Sequence, residues 1–128
     1  MSTTSRCVQV KLNDVDVQME ADSGADVNIM DEHQLTSWTR TNLRHRLRVK
    51  PALQPSNVKL YTLQHKLDVK GEFHATIRND TWGRLVTFVV VFGRIKSPPL
   101  IGKETLLGLR MLKIQPNGTL AEPNPLGK

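Results

Sequence analysis

Residues 17–30, Val-Gln-Met-Glu-Ala-Asp-Ser-Gly-Ala-Asp-Val-Asn-Ile-Met, constrain this chain more than any other stretch. They read as a strand, a tight turn at Asp22-Ser23-Gly24, and a second strand whose apolar Val27 and Ile29 share one face. Two strands that each bury a face push the turn between them, and Asp22 with it, to the end of a sheet. Gly24 has no side chain, so a second backbone can come close there. The Ser23 hydroxyl can tie the turn down by bonding backbone groups. On its own Asp-Ser-Gly is an ordinary turn; the strands on either side give it a fixed place.

A second motif lies far along the chain, from Ser97-Pro98-Pro99-Leu100-Ile101-Gly102-Lys103 to Glu104-Thr105-Leu106-Leu107-Gly108-Leu109. It has a proline-bounded start, a short apolar strand, a glycine, and a short helical stretch. With both motifs present, the chain resembles the retropepsin family, the retroviral-type aspartic proteases, over residues 7 to 115. It is most similar to proteases of gypsy-type long-terminal-repeat retrotransposon polyproteins. The run Ala21 to Asp31 carries most of the likeness and Pro98 to Lys103 the rest. The resemblance implies an all-β, retropepsin-like closed barrel with one short C-terminal helix. It also implies an aspartic endopeptidase that processes a retrotransposon polyprotein, with Asp22 catalytic and Ser23 and Gly24 in support.

The remaining sequence fits that class. At 128 residues the chain has room for one domain with a modest core. Apolar residues make up 38% and aromatics only 5%, so the core must rest on Val, Leu and Ile, which suit strands. Residues 7–12 alternate, Asn13-Asp14 marks a turn, and Val15 to Ala21 alternates again. Asp31 stands where a helix N-cap would precede Glu32 to Leu35. Asn57 to Tyr61 and Lys66 to Lys70 flank a hairpin tip at Thr62-Leu63-Gln64-His65. Glu72 to Asn79 and Arg84 to Phe92 read as strands, the second dense enough in Val and Phe to be central, with a turn at Asp80 to Gly83. Residues 103–110 look helical and Met111 to Gln115 strand-like. The division expected is a flexible segment 1–6, a domain 7–115 and a tail or linker 116–128.

Cys7 is the only cysteine, and it is expected as a buried or half-buried thiol. The four histidines are scattered without ligand spacing, so neither a metal nor another cofactor is expected. The start lacks the apolar run of a secretory signal, and no stretch reaches membrane-span length. An intracellular, cytoplasmic protein with no membrane partner is expected.

Aspartic protease chemistry sets two carboxylates around one water, yet the sequence holds one Asp-Ser-Gly. The second Asp22 must then come from a second chain, giving a homodimer with its site on the two-fold axis. Two like charges so close share one proton. The ionised carboxylate activates water as general base; the protonated one polarises the scissile carbonyl of an extended polypeptide substrate. Family likeness further implies that Ser23 hydrogen-bonds across the axis and that the first and last strands, about Cys7 to Leu12 and Met111 to Gln115, interleave in a dimer sheet. It implies an Asp26–Lys103 ion pair, although Lys lacks the bidentate fork of the family's more usual Arg. Ala25, Asp26, Ile29 and Leu100 would border the substrate. Leu63 and Gln64 would belong to a flap that closes over it, at a tip without the glycines of viral flaps.

Two other readings remain. Lys and Arg number 18 against 12 Asp and Glu, a net charge of +6, with the densest basic run from Arg40 to Lys50. That balance suits a nucleic-acid-binding domain, or weak nonspecific RNA contact by a protease. Aromatic residues able to stack on bases are scarce beside it. The second alternative is a retropepsin-like module that dimerises without turnover.

Overall fold

The computed structural model describes residues 5–44, 52–61, 66–111, 113–114 and 120–121. Asn13 and Asp14 take φ of 49° and 70°, the left-handed pair whose twist matches two antiparallel strands. They join β1 (Ser5–Leu12) to β2 (Val15–Asp22), with Leu12 opposite Val15 and Ser5 opposite Asp22. After β3 (Asn28–Asp31) comes α1 (Glu32–Arg44), then the short strands β4 (Leu60–Tyr61) and β5 (Lys66–Leu67). A second hairpin pairs β6 (Val69–Arg78) with β7 (Gly83–Val91). Its turn is the expected one: the Asn79 side chain accepts the N–H groups of Thr81 and Trp82 at 2.9 and 2.7 Å. The chain continues through β8 (Leu100–Ile101), α2 (Lys103–Gly108), β9 (Lys113–Ile114) and β10 (Leu120–Ala121).

Six strands close into a ring in the order β1-β2-β8-β3-β7-β6, and Lys11 and Leu12 of β1 meet Arg78 and Ile77 of β6 to complete it. β7 is central, parallel to β3 and antiparallel to β6. Gly83 to Leu85 are exposed and Val86 and Thr87 half-buried, whereas Phe88 to Val91 are buried without alternation, as are all four residues of β3. The alternation expected from Val27 and Ile29 is therefore absent. β3 lies between β8 and β7 in the ring, and Asn28 stands opposite the core residue Phe88 on β7, so even this polar side chain lies inside.

α1 extends far beyond the helical start expected at Glu32 to Leu35. Asp31 caps it reciprocally: Asp31 Oδ1 accepts the Gln34 N–H at 2.6 Å and Gln34 Oε1 accepts the Asp31 N–H at 2.9 Å. Leu35, Trp38 and Thr39 recur at helical spacing and are buried. Trp38 stacks on Phe73 at 5.5 Å between ring centroids, and Phe73 on Phe88 at 5.9 Å. The indole N–H donates to the Leu12 carbonyl at 3.1 Å, so the helix is tied to the first hairpin by packing and by a buried polar bond.

Two expectations change. Cys7 is exposed, because Val10 and Leu12 turn inward on β1 and the odd positions Cys7 and Gln9 turn out. Met111 to Gln115 contributes β9, and the stretch read as a tail contributes β10. The two pair with each other, Ile114 opposite Leu120. In the single chain β1 is held along its whole length by β2 and at its end by β6. No helix among the described residues is long and apolar enough to cross a membrane.

Candidate active site

Asp22 is the last residue of β2 and is half-buried. Its Oδ1 accepts the Gly24 N–H at 3.0 Å, and its carbonyl accepts the Ala25 N–H at 3.1 Å. The turn is thus held by the aspartate itself, in the Asx manner. The Ser23 hydroxyl, expected to tie the turn down, makes no hydrogen bond among the described residues; a carboxylate with its oxygen already over the loop takes that bond first. A Cβ at Gly24 would lie 3.4 Å from Asp22 Oδ1, an ordinary contact, so the turn by itself does not demand glycine there.

β2 and β3 flank this loop without pairing to each other. β8 lies between them, parallel to β2 through Glu20–Leu100 and Ala21–Ile101 and antiparallel to β3 through Ile29–Leu100. The Glu20 N–H donates to the Pro99 carbonyl at 2.8 Å, which sets the register. The two sequence motifs therefore meet in space. Gly102 then passes under the loop so closely that a Cβ would lie 2.8 Å from the Val27 carbonyl oxygen and 3.0 Å from that of Ala25. No other residue type fits such an approach.

Two bonds fasten the crossing. The Lys103 N–H donates to the Ala25 carbonyl at 2.8 Å, and the Gly102 N–H donates to Asn28 Oδ1 at 2.8 Å. Asn28, only 6% exposed, donates in turn from Nδ2 to the Thr87 carbonyl at 3.0 Å. This one amide ties the loop, β8 and β7 together. Sequence reading missed it, since an asparagine between Val27 and Ile29 looks like the solvent side of a strand.

The other site residues divide. Ala25 is half-buried and holds α2's entry through its carbonyl. Ile29 and Leu100 are cross-strand partners, Ile29 buried and Leu100 half-buried. Asp26 is exposed and forms no ion pair with Lys103, so the expected pair is replaced by the backbone bond from Lys103 to Ala25. Leu63 and Gln64 lie outside the described residues. Their flanks pair as an antiparallel hairpin, Leu60 opposite Leu67 and Tyr61 opposite Lys66. Of the basic run, Arg40 is exposed on α1 and residues 45–50 lie outside the described residues.

Near the foot of that hairpin, Glu32 Oε2 accepts the Gly93 N–H at 2.6 Å and Oε1 accepts Lys70 Nζ at 3.3 Å. The Gly93 N–H first, and Lys70 second, hold the Glu32 carboxyl below its ordinary range. Lys70 Nζ also stands 5.7 Å from the Phe92 ring centroid, and the Phe92 N–H donates to the Asp68 carbonyl at 3.1 Å. A groove of about 350 Å³ opens beside the loop, bordered by Asp26, Val27, Asn28 and Gly102.

No family model matches the chain, and no curated protein does so by sequence. Solved structures do. EIAV protease in complex with an inhibitor superposes with a TM-score of 0.60 over 81% of this chain and 86% of that one, at 15% identity. The retroviral protease-like domain of Ddi1 from Leishmania major superposes with a TM-score of 0.53 over 96% and 91%, at 18% identity. The chain thus has the retropepsin-like fold, mostly β with two helices.

Proposed function

We propose that this chain is an aspartic endopeptidase of the retroviral type that acts as a homodimer on an extended polypeptide. The observation that carries the reading is the Asp22 carboxylate, half-buried at the end of β2 in a retropepsin-like fold and oriented by the Gly24 N–H. The Gly102 crossing beneath it supports the assignment, since it fixes the loop against movement when a second charge approaches.

The dimer rests on two features. One chain supplies one such aspartate. Moreover β9 and β10 form a two-stranded sheet joined to no other strand among the described residues. Such a hairpin is marginal alone and gains from further strands, which a second copy offers. Two Asp22 carboxylates would then share a proton, one activating water and the other polarising the carbonyl and later donating to the leaving nitrogen. Activity is expected on the acidic side of neutral, where the shared proton is retained. The likeness of Ala21 to Asp31 to gypsy-type proteases supports a retrotransposon polyprotein as substrate, and Ser23 as the residue that bonds across the axis.

The test is cleavage of a peptide panel with and without a statine-type transition-state analogue, with sedimentation of the same sample. Asp22→Asn is expected to lower turnover by roughly 10²–10⁴-fold or more while the dimer persists. An Asn variant that still cleaves would remove Asp22 from the mechanism. A dimer that binds the analogue yet never cleaves would leave the non-catalytic module.

A further inference from the structure

The protein carries a net charge of +6, yet the groove beside the Asp22 loop is acidic. Three carboxylates line it: Asp26 from the loop, Glu72 from β6 and Glu104 from α2. Arg84 is the one cation among its described lining residues, and its side chain lies across Gly108 at the end of α2. None of these four groups has an ion-pair partner among the described residues. Val58, Val86 and Val89 supply apolar wall between them.

A second observation points to an occupant. Thr105 lines the same groove and is only 5% exposed, and its hydroxyl has no hydrogen-bond partner among the described residues. A buried hydroxyl left unpaired costs free energy that a bound polar group can recover. The carboxylates are not gathered closely enough to hold a metal ion, so the cation that suits them is an extended one. A lysine or arginine side chain fits: its methylene stem takes the valine wall and its head reaches the carboxylates and the hydroxyl.

We propose that this groove binds a basic side chain of the polypeptide substrate and makes the chain selective for Lys or Arg there, a reading that rests on the protease assignment. Asp22, Ser23 and Leu100 are not among the groove's lining residues. The basic residue is therefore set apart from the scissile bond, at an outer position of the substrate.

The experiment uses Asp22→Asn protein, which separates binding from cleavage. Fluorescent peptides carry Arg, norleucine or Glu in turn at each position, and anisotropy reads affinity at low and high salt. Arg is expected to bind about tenfold tighter than norleucine at one outer position, less so at high salt. Glu72→Gln with Glu104→Gln is expected to erase the preference while leaving norleucine peptides bound as before. Thr105→Val is expected to weaken Arg peptides alone. Equal affinity of Arg and norleucine at every position, a preference indifferent to the Gln variants, or no binding by any peptide would each overturn the proposal. If the Arg preference holds and the unmutated chain cleaves nothing, the groove stands and the protease reading falls. If cleavage occurs without the preference, the reverse is true.

Discussion

Replacing Gly102 by alanine would place a methyl carbon 2.8 Å from the Val27 carbonyl oxygen, 2.9 Å from its carbon and 3.0 Å from the Ala25 oxygen. All three are backbone atoms of the loop that carries Asp22, so none can rotate aside. Forcing a methyl group into so close a fit costs about 1–3 kcal/mol. Relief by moving β8 away stretches the Gly102-to-Asn28 and Lys103-to-Ala25 bonds, both 2.8 Å, each worth about 1 kcal/mol net. The expected loss is then about 2–4 kcal/mol, enough to lower the melting temperature by roughly 10 °C in a domain of this size. Urea and thermal unfolding followed by circular dichroism would measure it, with an unchanged m-value confirming that only stability moved. Gly24→Ala is the control: its Cβ meets Asp22 Oδ1 at 3.4 Å, an ordinary contact, so stability should hold. A Gly102→Ala midpoint equal to that of the unmutated chain would show that β8 is free to shift, and would refute the anchoring of the loop by this crossing.

Asn28→Leu keeps roughly the volume but strands the Gly102 N–H and the Thr87 carbonyl, so about 2–4 kcal/mol should be lost in urea unfolding; a variant as stable as the original would dismiss the amide as a tie. Glu32 gives a pH test. Its carboxyl is held below the ordinary range by the Gly93 N–H and then Lys70, so its contribution is fully present above the unfolded value of about 4.3 and is lost as pH falls through the lower folded value. Calorimetry across this acidic window should show a steeper loss of stability in the unmutated chain than in Glu32→Gln; parallel curves would contradict the assignment.

Much of the fold was legible because it rests on local rules. The Asn13-Asp14 turn and the alternation around it specify β1 and β2 before any tertiary contact forms, and Asp31 as N-cap announces the start of α1. How far α1 runs was not legible, since Trp38 is buried by contacts with Leu12 of β1 and Phe73 of β6. Asn28 was misplaced for the same reason: strand alternation tells which residues share a face, not whether the other face meets water. The Cys7 thiol illustrates the converse, a residue of apolar character on a face that the core does not use.

By itself, the sequence determined that a single Asp-Ser-Gly turn ends a strand, that an apolar pair followed by glycine lies far along the chain, and that the two together resemble one family of proteases. Those are properties of neighbouring residues and need no third dimension. Only the tertiary structure decided that β8 separates β2 from β3, that Gly102 must be glycine because loop carbonyls stand under 3.1 Å from any Cβ there, and that Asp26 and Lys103 do not pair. It alone gathers Asp26, Glu72 and Glu104 around a groove in a basic protein. Contacts between residues so distant along the chain are fixed by ring closure, and no local pattern encodes the distance of closest approach.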